Sequence, residues 1–281
     1  MKLKDLRYYF FNQLNDFSKS EINTFFKLLC EDVIGIKPHQ IIINAANKVS
    51  DSDLNLFFDA INRLKLNEPI QYIIGYSYFF GNKFKLSPSV LIPRPETEEL
   101  ISWIFAHYKP FEKLKILELG TGSGCIAITL AKHFVNSKVF ALDISDHALE
   151  VARFNSESNN TNVVFFKADI LNLDVFDENY DIIVSNPPYV SKSEISKMSP
   201  NVIDYEPHLA LFVEDSNPLI FYKSIKKIIL SNLSPNGHCF LEINESYGDE
   251  LIQLYEDLSF DSITLKKDIF DKNRMIKIKK K

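Results

Sequence analysis

The chain has 281 residues, 46% hydrophobic and 25% charged, with a formal net charge of −5. That length can bury a sizeable core in two domains of ordinary soluble composition, and the acidic balance excludes a broad phosphate-binding surface as the leading feature. Cys30, Cys125 and Cys239 are far apart and in no CxxC pairing, and no apolar run reads as a signal peptide or membrane span, so free thiols in a cytoplasmic protein without structural zinc are expected.

Residues 1–67 read as helices. Leu3, Leu6, Phe10 and Leu14 recur at helical spacing, as do Phe25, Phe26, Leu28 and Leu29 after a start at Ser20-Glu21-Ile22-Asn23. Leu54, Phe57, Phe58, Ile61 and Leu64 repeat the pattern behind an Asp51-Ser52-Asp53 cap signal. A small helical domain without a chemical motif is expected here, with substrate docking as its use.

Residues 68–95 read as a hairpin and linker. Tyr76 to Leu86 has aromatic residues in both arms and is expected to turn at Gly81-Asn82. In Val90-Leu91-Ile92-Pro93-Arg94-Pro95-Glu96-Thr97 two prolines hold an extended segment, and Thr97 with its acidic neighbours begins a helix through Trp103 and Phe105. Pro93 to Thr97 is too polar and too rigid for a spacer, which places it over a ligand pocket.

From Leu114 the pattern changes to strand–helix alternation. Lys115 to Leu119 is a buried strand, followed by Gly120-Thr121-Gly122-Ser123-Gly124 and a helix from Cys125 to Phe134. Such a loop lets backbone approach a ligand at a helix N-terminus. Cys125 stands where a dinucleotide fingerprint wants its third glycine, which favours a nucleoside lacking a pyrophosphate. The next strand, Lys138 to Leu142, ends in Asp143, about twenty residues past the loop, where a carboxylate can accept both ribose hydroxyls; taken alone, Asp143 reads equally as a cap for the helix from Ser145-Asp146. Val163 to Lys167 ends in Ala168-Asp169-Ile170, an acid suited to an exocyclic amino group and an apolar residue suited to a purine face.

The strand Asp181 to Val184 stops abruptly at Asn186-Pro187-Pro188-Tyr189. Neither proline has an N–H and each keeps its predecessor out of helical geometry, so the backbone is extended with free carbonyls at the strand's carboxyl end. Asn186 and the Pro187 carbonyl offer two neutral acceptors and Tyr189 a flat face, which suits a planar –NH2 held while its nitrogen reacts. Residues 190–216 read as a long irregular loop. A helix from about Pro218 to Asn232, the strand His238 to Ile243, a helix near Asp249 to Asp257 and an antiparallel pair, Ile263 to Lys267 with Arg274 to Ile278, complete the chain, and Lys277 to Lys281 reads as a solvated tail. The six histidines show no ligand spacing, and no metal is expected.

In this order and spacing Glu118-x-Gly120-x-Gly122-x-Gly124, Asp143, Asp169 and Asn186-Pro187-Pro188-Tyr189 resemble class I S-adenosylmethionine-dependent methyltransferases acting on amino or amide nitrogen. The fuller wording, Pro69 to Gly75, Val90 to Glu98, Leu119 to Cys125 and Val184 to Tyr189, resembles the release-factor glutamine N5-methyltransferases. Glu206-Pro207 with Ala210-Leu211, and Leu241-Glu242-Ile243, also look like family positions. Departures fall late in the chain: Asn244 replaces a usual Gly, Tyr247 a usual Gln, residues 213–217 lack the family's glycines, and Asp271-Lys272-Asn273-Arg274 replaces a Gly-containing turn.

The resemblance implies an α/β fold, a seven-stranded Rossmann-like class I methyltransferase domain over 96–281 preceded by the helical domain. It implies methyl transfer from S-adenosylmethionine to the glutamine amide in the Gly-Gly-Gln motif of class 1 peptide chain release factors. A monomer is expected, with no direct nucleic-acid or membrane partner. Asn186, Pro187, Pro188 and Tyr189 would be catalytic and hold the substrate amide, with Arg94, Glu96 and Thr97 at the wall where cofactor and substrate meet. Glu118 would orient the glycine loop and the methionine ammonium, and Gly120, Thr121, Gly122, Ser123 and Gly124 would line the cofactor. Asp143 would meet the ribose, Asp169 and Ile170 the adenine, and Ile144 and Asn186 would also border the cofactor. The alternative is an adenine-N6 methyltransferase acting on DNA or RNA, which shares the Asn-Pro-Pro-Tyr chemistry; the acidic charge and the lack of a basic, aromatic-interleaved domain count against it.

Overall fold

Helices with one apolar stripe must bury it against each other, and the N-terminal residues do so. The computed structural model describes residues 1–173, 176–256 and 259–281, in two units: Met1–Tyr76 with Ser199–Tyr205, and Ser77–Met198 with Glu206–Lys281. In the first, α1 (Leu3–Gln13), α2 (Lys19–Ile34), α3 (Asp51–Lys65) and the short α4 (Ile70–Ile74) enclose Leu6, Phe10, Phe26, Phe57 and Ile61. The rings of Phe10 and Phe26 meet edge to face at 5.5 Å. α2 begins earlier than its sequence signal, because Ser18 and Glu21 form a reciprocal capping box. Ser50, rather than the following aspartates, caps α3.

Next in the chain comes a hairpin of β1 (Tyr76–Phe79) and β2 (Asn82–Lys85). Its turn lies at Phe80-Gly81, one residue before the expected position, with φ of +50° and +74°. The strained Phe80 N–H is held by the Glu98 carboxylate at 2.6 Å. α5 spans Pro95–Phe105, so it starts before Thr97: Pro95 takes the first helical position, where its missing N–H costs nothing.

Strands β3 (Lys115–Leu119), β4 (Lys138–Asp143), β5 (Val163–Lys167), β6 (Tyr180–Ser185), β9 (Leu233–Glu242), β10 (Phe260–Lys267) and β11 (Asn273–Lys280) form a seven-stranded sheet among the described residues, in the order β10-β11-β9-β6-β3-β4-β5. The β9, β6, β3, β4 and β5 neighbours are parallel and β11 runs antiparallel to β9 and β10. Both faces are buried. One packs Ile116, Val139, Ile182 and Phe240 against α5 and α6 (Cys125–His133). The other packs Leu117, Leu142, Ile183 and Leu241 against α9 (Ile220–Asn232) and α10 (Gly248–Tyr255). α7 (Asp146–Ser158) joins β4 to β5. Strand order reverses at β3, so the crevice at its carboxyl end is the expected ligand position.

Two expectations are corrected. Lys277–Lys280 is not a solvated tail but the end of β11: Ile278 is fully buried between β9 and β10, and the Lys280 ammonium donates to the carbonyls of Leu230 and Leu233. Lysines alternating with isoleucines lay their stems along the sheet while the charge finds an acceptor. Residues 190–216 are not irregular throughout either. They hold β7 (Val190–Ser191), α8 (Pro200–Tyr205), β8 (Phe212–Val213) and two 3-10 turns, with β7 paired to β8. Asp257, the expected end of the last helix, lies outside the described residues. No described helix is long and apolar enough to cross a membrane.

Candidate active site

Five parallel strands end at one edge, and each delivers a polar group there. At the end of β3 the chain turns through Gly120, Gly122 and Gly124, all at positive φ, and the N–H groups of Gly120 and Thr121 both donate to the Leu142 carbonyl of β4. Glu118 is 1% exposed. Its Oε2 accepts the Thr121 hydroxyl at 2.6 Å and the Ala127 N–H at 3.0 Å, so it braces the loop against the start of α6. Burial pushes its pKa up to about 8, against those two hydrogen bonds.

Asp143 at the end of β4 braces the glycine loop and the turn that leads into α7. Its Oδ2 accepts the Gly122 N–H at 2.8 Å and its Oδ1 accepts the Ser145 N–H at 2.9 Å. Ser145 itself caps α7. Burial raises the Asp143 pKa. Past β5, Asp169 folds its turn by accepting from the Leu171 N–H and the Asn172 amide.

A cavity of about 350 Å³ lies over this edge. Glu118, Gly120, Thr121, Gly122 and Ser123 border it from β3 and its loop; Asp143 and Ile144 from β4; Asp169 and Ile170 from β5; Asn186 and Pro188 from β6; Arg94 and Thr97 from the start of α5. Glu96, Gly124, Pro187 and Tyr189 are not on its wall. Gly124 sits where a Cβ would meet Ile128 Cδ1 at 2.9 Å and Ala152 Cβ at 3.2 Å, so it lets α6 and α7 approach.

The lining has a definite chemistry. Carboxylates stand at three strand ends and one of them occupies the Gly122 N–H that a phosphate would otherwise claim. Ile144 and Ile170 supply apolar surface between them. The set fits a nucleoside carrying a cationic tail and disfavours a polyphosphate. Among the described residues no cluster of three or more His, Cys, Asp or Glu is placed to hold a metal ion.

Past β6 the Ser185 hydroxyl donates to the Leu119 carbonyl at 2.6 Å, fixing the strand end just before Asn186. The Asn186 Nδ2 donates to Thr97 Oγ1 at 3.3 Å, and Thr97 in turn donates to Glu242 Oε2 at 2.6 Å. Tyr189 donates its hydroxyl to Glu242 Oε1 at 3.1 Å, and its carbonyl accepts from Asn244. Burial raises the pKa of both Tyr189 and Glu242.

Other members of the site carried weaker sequence signals. Asn155 of α7 is 1% exposed, accepts the Lys85 N–H, and donates to the carbonyls of Lys85 and Ser123, tying hairpin, helix and glycine loop together. No local pattern marks it. Glu206 and Glu242 were visible only as positions within the resemblance, with no role attached.

The fold and this site define a Rossmann-like methyltransferase. A family model described as a methyltransferase domain matches residues 110–259, and one described as the PrmC N-terminal domain matches residues 9–75. The chain is 43% identical, over 99% of its own length and 99% of the relative's, to the release factor glutamine methyltransferase of Flavobacterium psychrophilum. It is 42% identical to that of Bacteroides thetaiotaomicron, over 91% of this chain and 92% of the relative. A solved methyltransferase from Pyrococcus furiosus shares the fold with a TM-score of 0.51 at 21% identity, covering 79% of this chain and 98% of that one. The chain belongs to the release factor glutamine methyltransferase family.

Proposed function

We propose that this chain methylates the side-chain amide nitrogen of the glutamine in the Gly-Gly-Gln motif of class 1 peptide chain release factors, using S-adenosylmethionine. The observation that carries the reading is Asn186 on the cavity wall with its amide nitrogen committed to Thr97. Its oxygen is left as an acceptor beside the carboxylate-lined pocket.

S-adenosylmethionine, when bound, supplies the electrophilic methyl group. Glu118 and Asp143 would hold its ammonium and ribose, Asp169 and Ile170 its adenine, and the loop from Gly120 to Ser123 would lie along it. Ionised Glu118 would gain a cationic partner in place of its burial penalty. The substrate nitrogen is a poor nucleophile because its lone pair is delocalised into the amide. Acceptors at Asn186 Oδ1 and the Pro187 carbonyl would hold its two hydrogens and stabilise the positive charge that develops as it attacks, more than in the ground state. Tyr189, anchored to Glu242, would offer its ring as a flat face for that amide. No strong base is required, since an amide protonated on nitrogen is acidic enough to lose a proton to water. Residues 1–67 would dock the release factor, and the enzyme would work in the cytoplasm where translation ends.

Replacing Asn186 by Ala tests the reading. Transfer to a purified release factor should fall by at least about a hundredfold, with cofactor affinity changed far less. Normal transfer by Asn186→Ala would contradict it.

A further inference from the structure

Glu242 ends β9, next to β6 in the sheet, and is 1% exposed. A carboxylate can only accept hydrogen bonds, and this one has two hydroxyl donors, Thr97 on Oε2 and Tyr189 on Oε1. Thr97 is 3% exposed and has a single hydroxyl proton. With that proton given to Glu242, Thr97 Oγ1 can only accept, so its contact with Asn186 must be made by the Asn186 N–H. An amide that points its nitrogen one way points its oxygen the other. The choice between two nearly isosteric orientations of the Asn186 amide is therefore made by a group that Asn186 does not touch.

We infer that Glu242 is a positioning residue for methyl transfer, acting through Thr97 to hold the Asn186 oxygen toward the substrate amide. The inference rests on the functional reading above, because it presupposes that Asn186 must accept from an –NH2 group. The logic reverses if the carboxyl carries a proton. A neutral Glu242 can donate to Thr97, Thr97 can then donate to Asn186, and the amide turns its own –NH2 toward the substrate –NH2, donor against donor.

The surroundings favour the ionised form in part. Arg274 of β11 stabilises the charge, while Glu96 of α5 and the burial itself oppose it. Arg274 is shared with Asp268 and Glu245. Tyr189 and Tyr222 face the group as neutral hydroxyls, the Tyr222 O–H donating to the Glu242 backbone carbonyl.

The test uses the full chain with a purified, unmethylated release factor. Glu242→Gln keeps the shape but can accept from only one of the two hydroxyls, and Thr97→Val removes the relay. Each should lower kcat by roughly tenfold to a hundredfold while cofactor binding, read by titration calorimetry, stays within about threefold. Thr97→Ser should rescue most of the loss. The double variant Thr97→Val, Glu242→Gln should be no worse than the worse single one, as expected for groups acting in series. Wild-type kcat should fall on the acid side as Glu242 takes up a proton, and Glu242→Gln should lose that limb. If Glu242→Gln unfolds, as read by circular dichroism, Thr97→Val and Thr97→Ser carry the test. Wild-type kcat in the relay variants with an inactive Asn186→Ala would overturn this inference alone, as would losses that multiply in the double variant. An active Asn186→Ala would overturn the functional reading beneath it.

Discussion

Arg94 and Glu206, 112 residues apart in the chain, are joined by an ion pair at 2.5 Å. The Glu206 side chain is 1% exposed, and its second oxygen accepts the Ile92 N–H. The pair ties the proline-bordered segment before α5 to the stretch carrying Pro207, Leu209 and Ala210, and both segments border the cavity. A polar latch thus joins two segments of the cavity wall.

Breaking that latch from the cationic side strands a buried carboxylate. Arg94→Ala should lower stability by about 2 kcal/mol, a figure discounted because roughly a third of the arginine is exposed. A urea titration should show the midpoint falling at unchanged slope. An unmoved midpoint would mean that the pair is incidental.

The glycine loop makes a differential prediction. Gly124 has φ +82° and a Cβ there would press on Ile128 and on the Ala152 backbone, whereas Gly122, at φ +53°, has nothing within 4 Å. Gly124→Ala should cost about 2 kcal/mol or more, through strain and forced separation of α6 from α7, and Gly122→Ala only about 1 kcal/mol from backbone strain. Thermal melts of the two variants side by side check the order, and equal shifts would contradict it.

Glu118 gives a pH dependence whose sign follows from linkage. Its folded pKa, about 8, lies above the usual carboxylate value of 4.5, so between those limits the folded state binds more protons than the unfolded one. Its contribution to stability is complete below about pH 4.5 and is lost as pH rises through about 8. Asp143 and Glu242 are shifted the same way by burial, so the cofactor-free protein should lose stability as pH rises across this window. Glu118→Gln should make that decline shallower; urea midpoints measured from pH 5 to 8, with an identical slope in wild type and variant, would count against it.

The parts legible in the sequence are those whose physics is local. The central strands announce themselves because both faces are buried, so Ile182-Ile183-Val184 is a continuous apolar run. The Asn-Pro-Pro-Tyr turn and the glycine loop are stiff or permissive backbone whatever surrounds them. Asn155 is the opposite case. A polar residue inside a helix reads as surface, and its partners Lys85 and Ser123 lie 70 and 32 residues away. The bond between Thr97 and Glu242 is likewise hidden, since it spans 145 residues. At the C-terminus the strand from Arg274 to Ile278 is legible, but the lysines hide its continuation to Lys280, which is strand because β9 and β10 offer partners on both sides. The hairpin turn moved by one residue because Glu98 holds a phenylalanine at a φ that sequence statistics would give to glycine.

The most direct measurement is intact-mass analysis, with peptide mapping, of a purified, unmethylated class 1 release factor incubated with this protein and S-adenosylmethionine. A gain of one methyl group on the glutamine of the Gly-Gly-Gln motif is the expected result. An unchanged release factor, with labelled methyl found instead in nucleic acid from the same extract, would contradict the central claim.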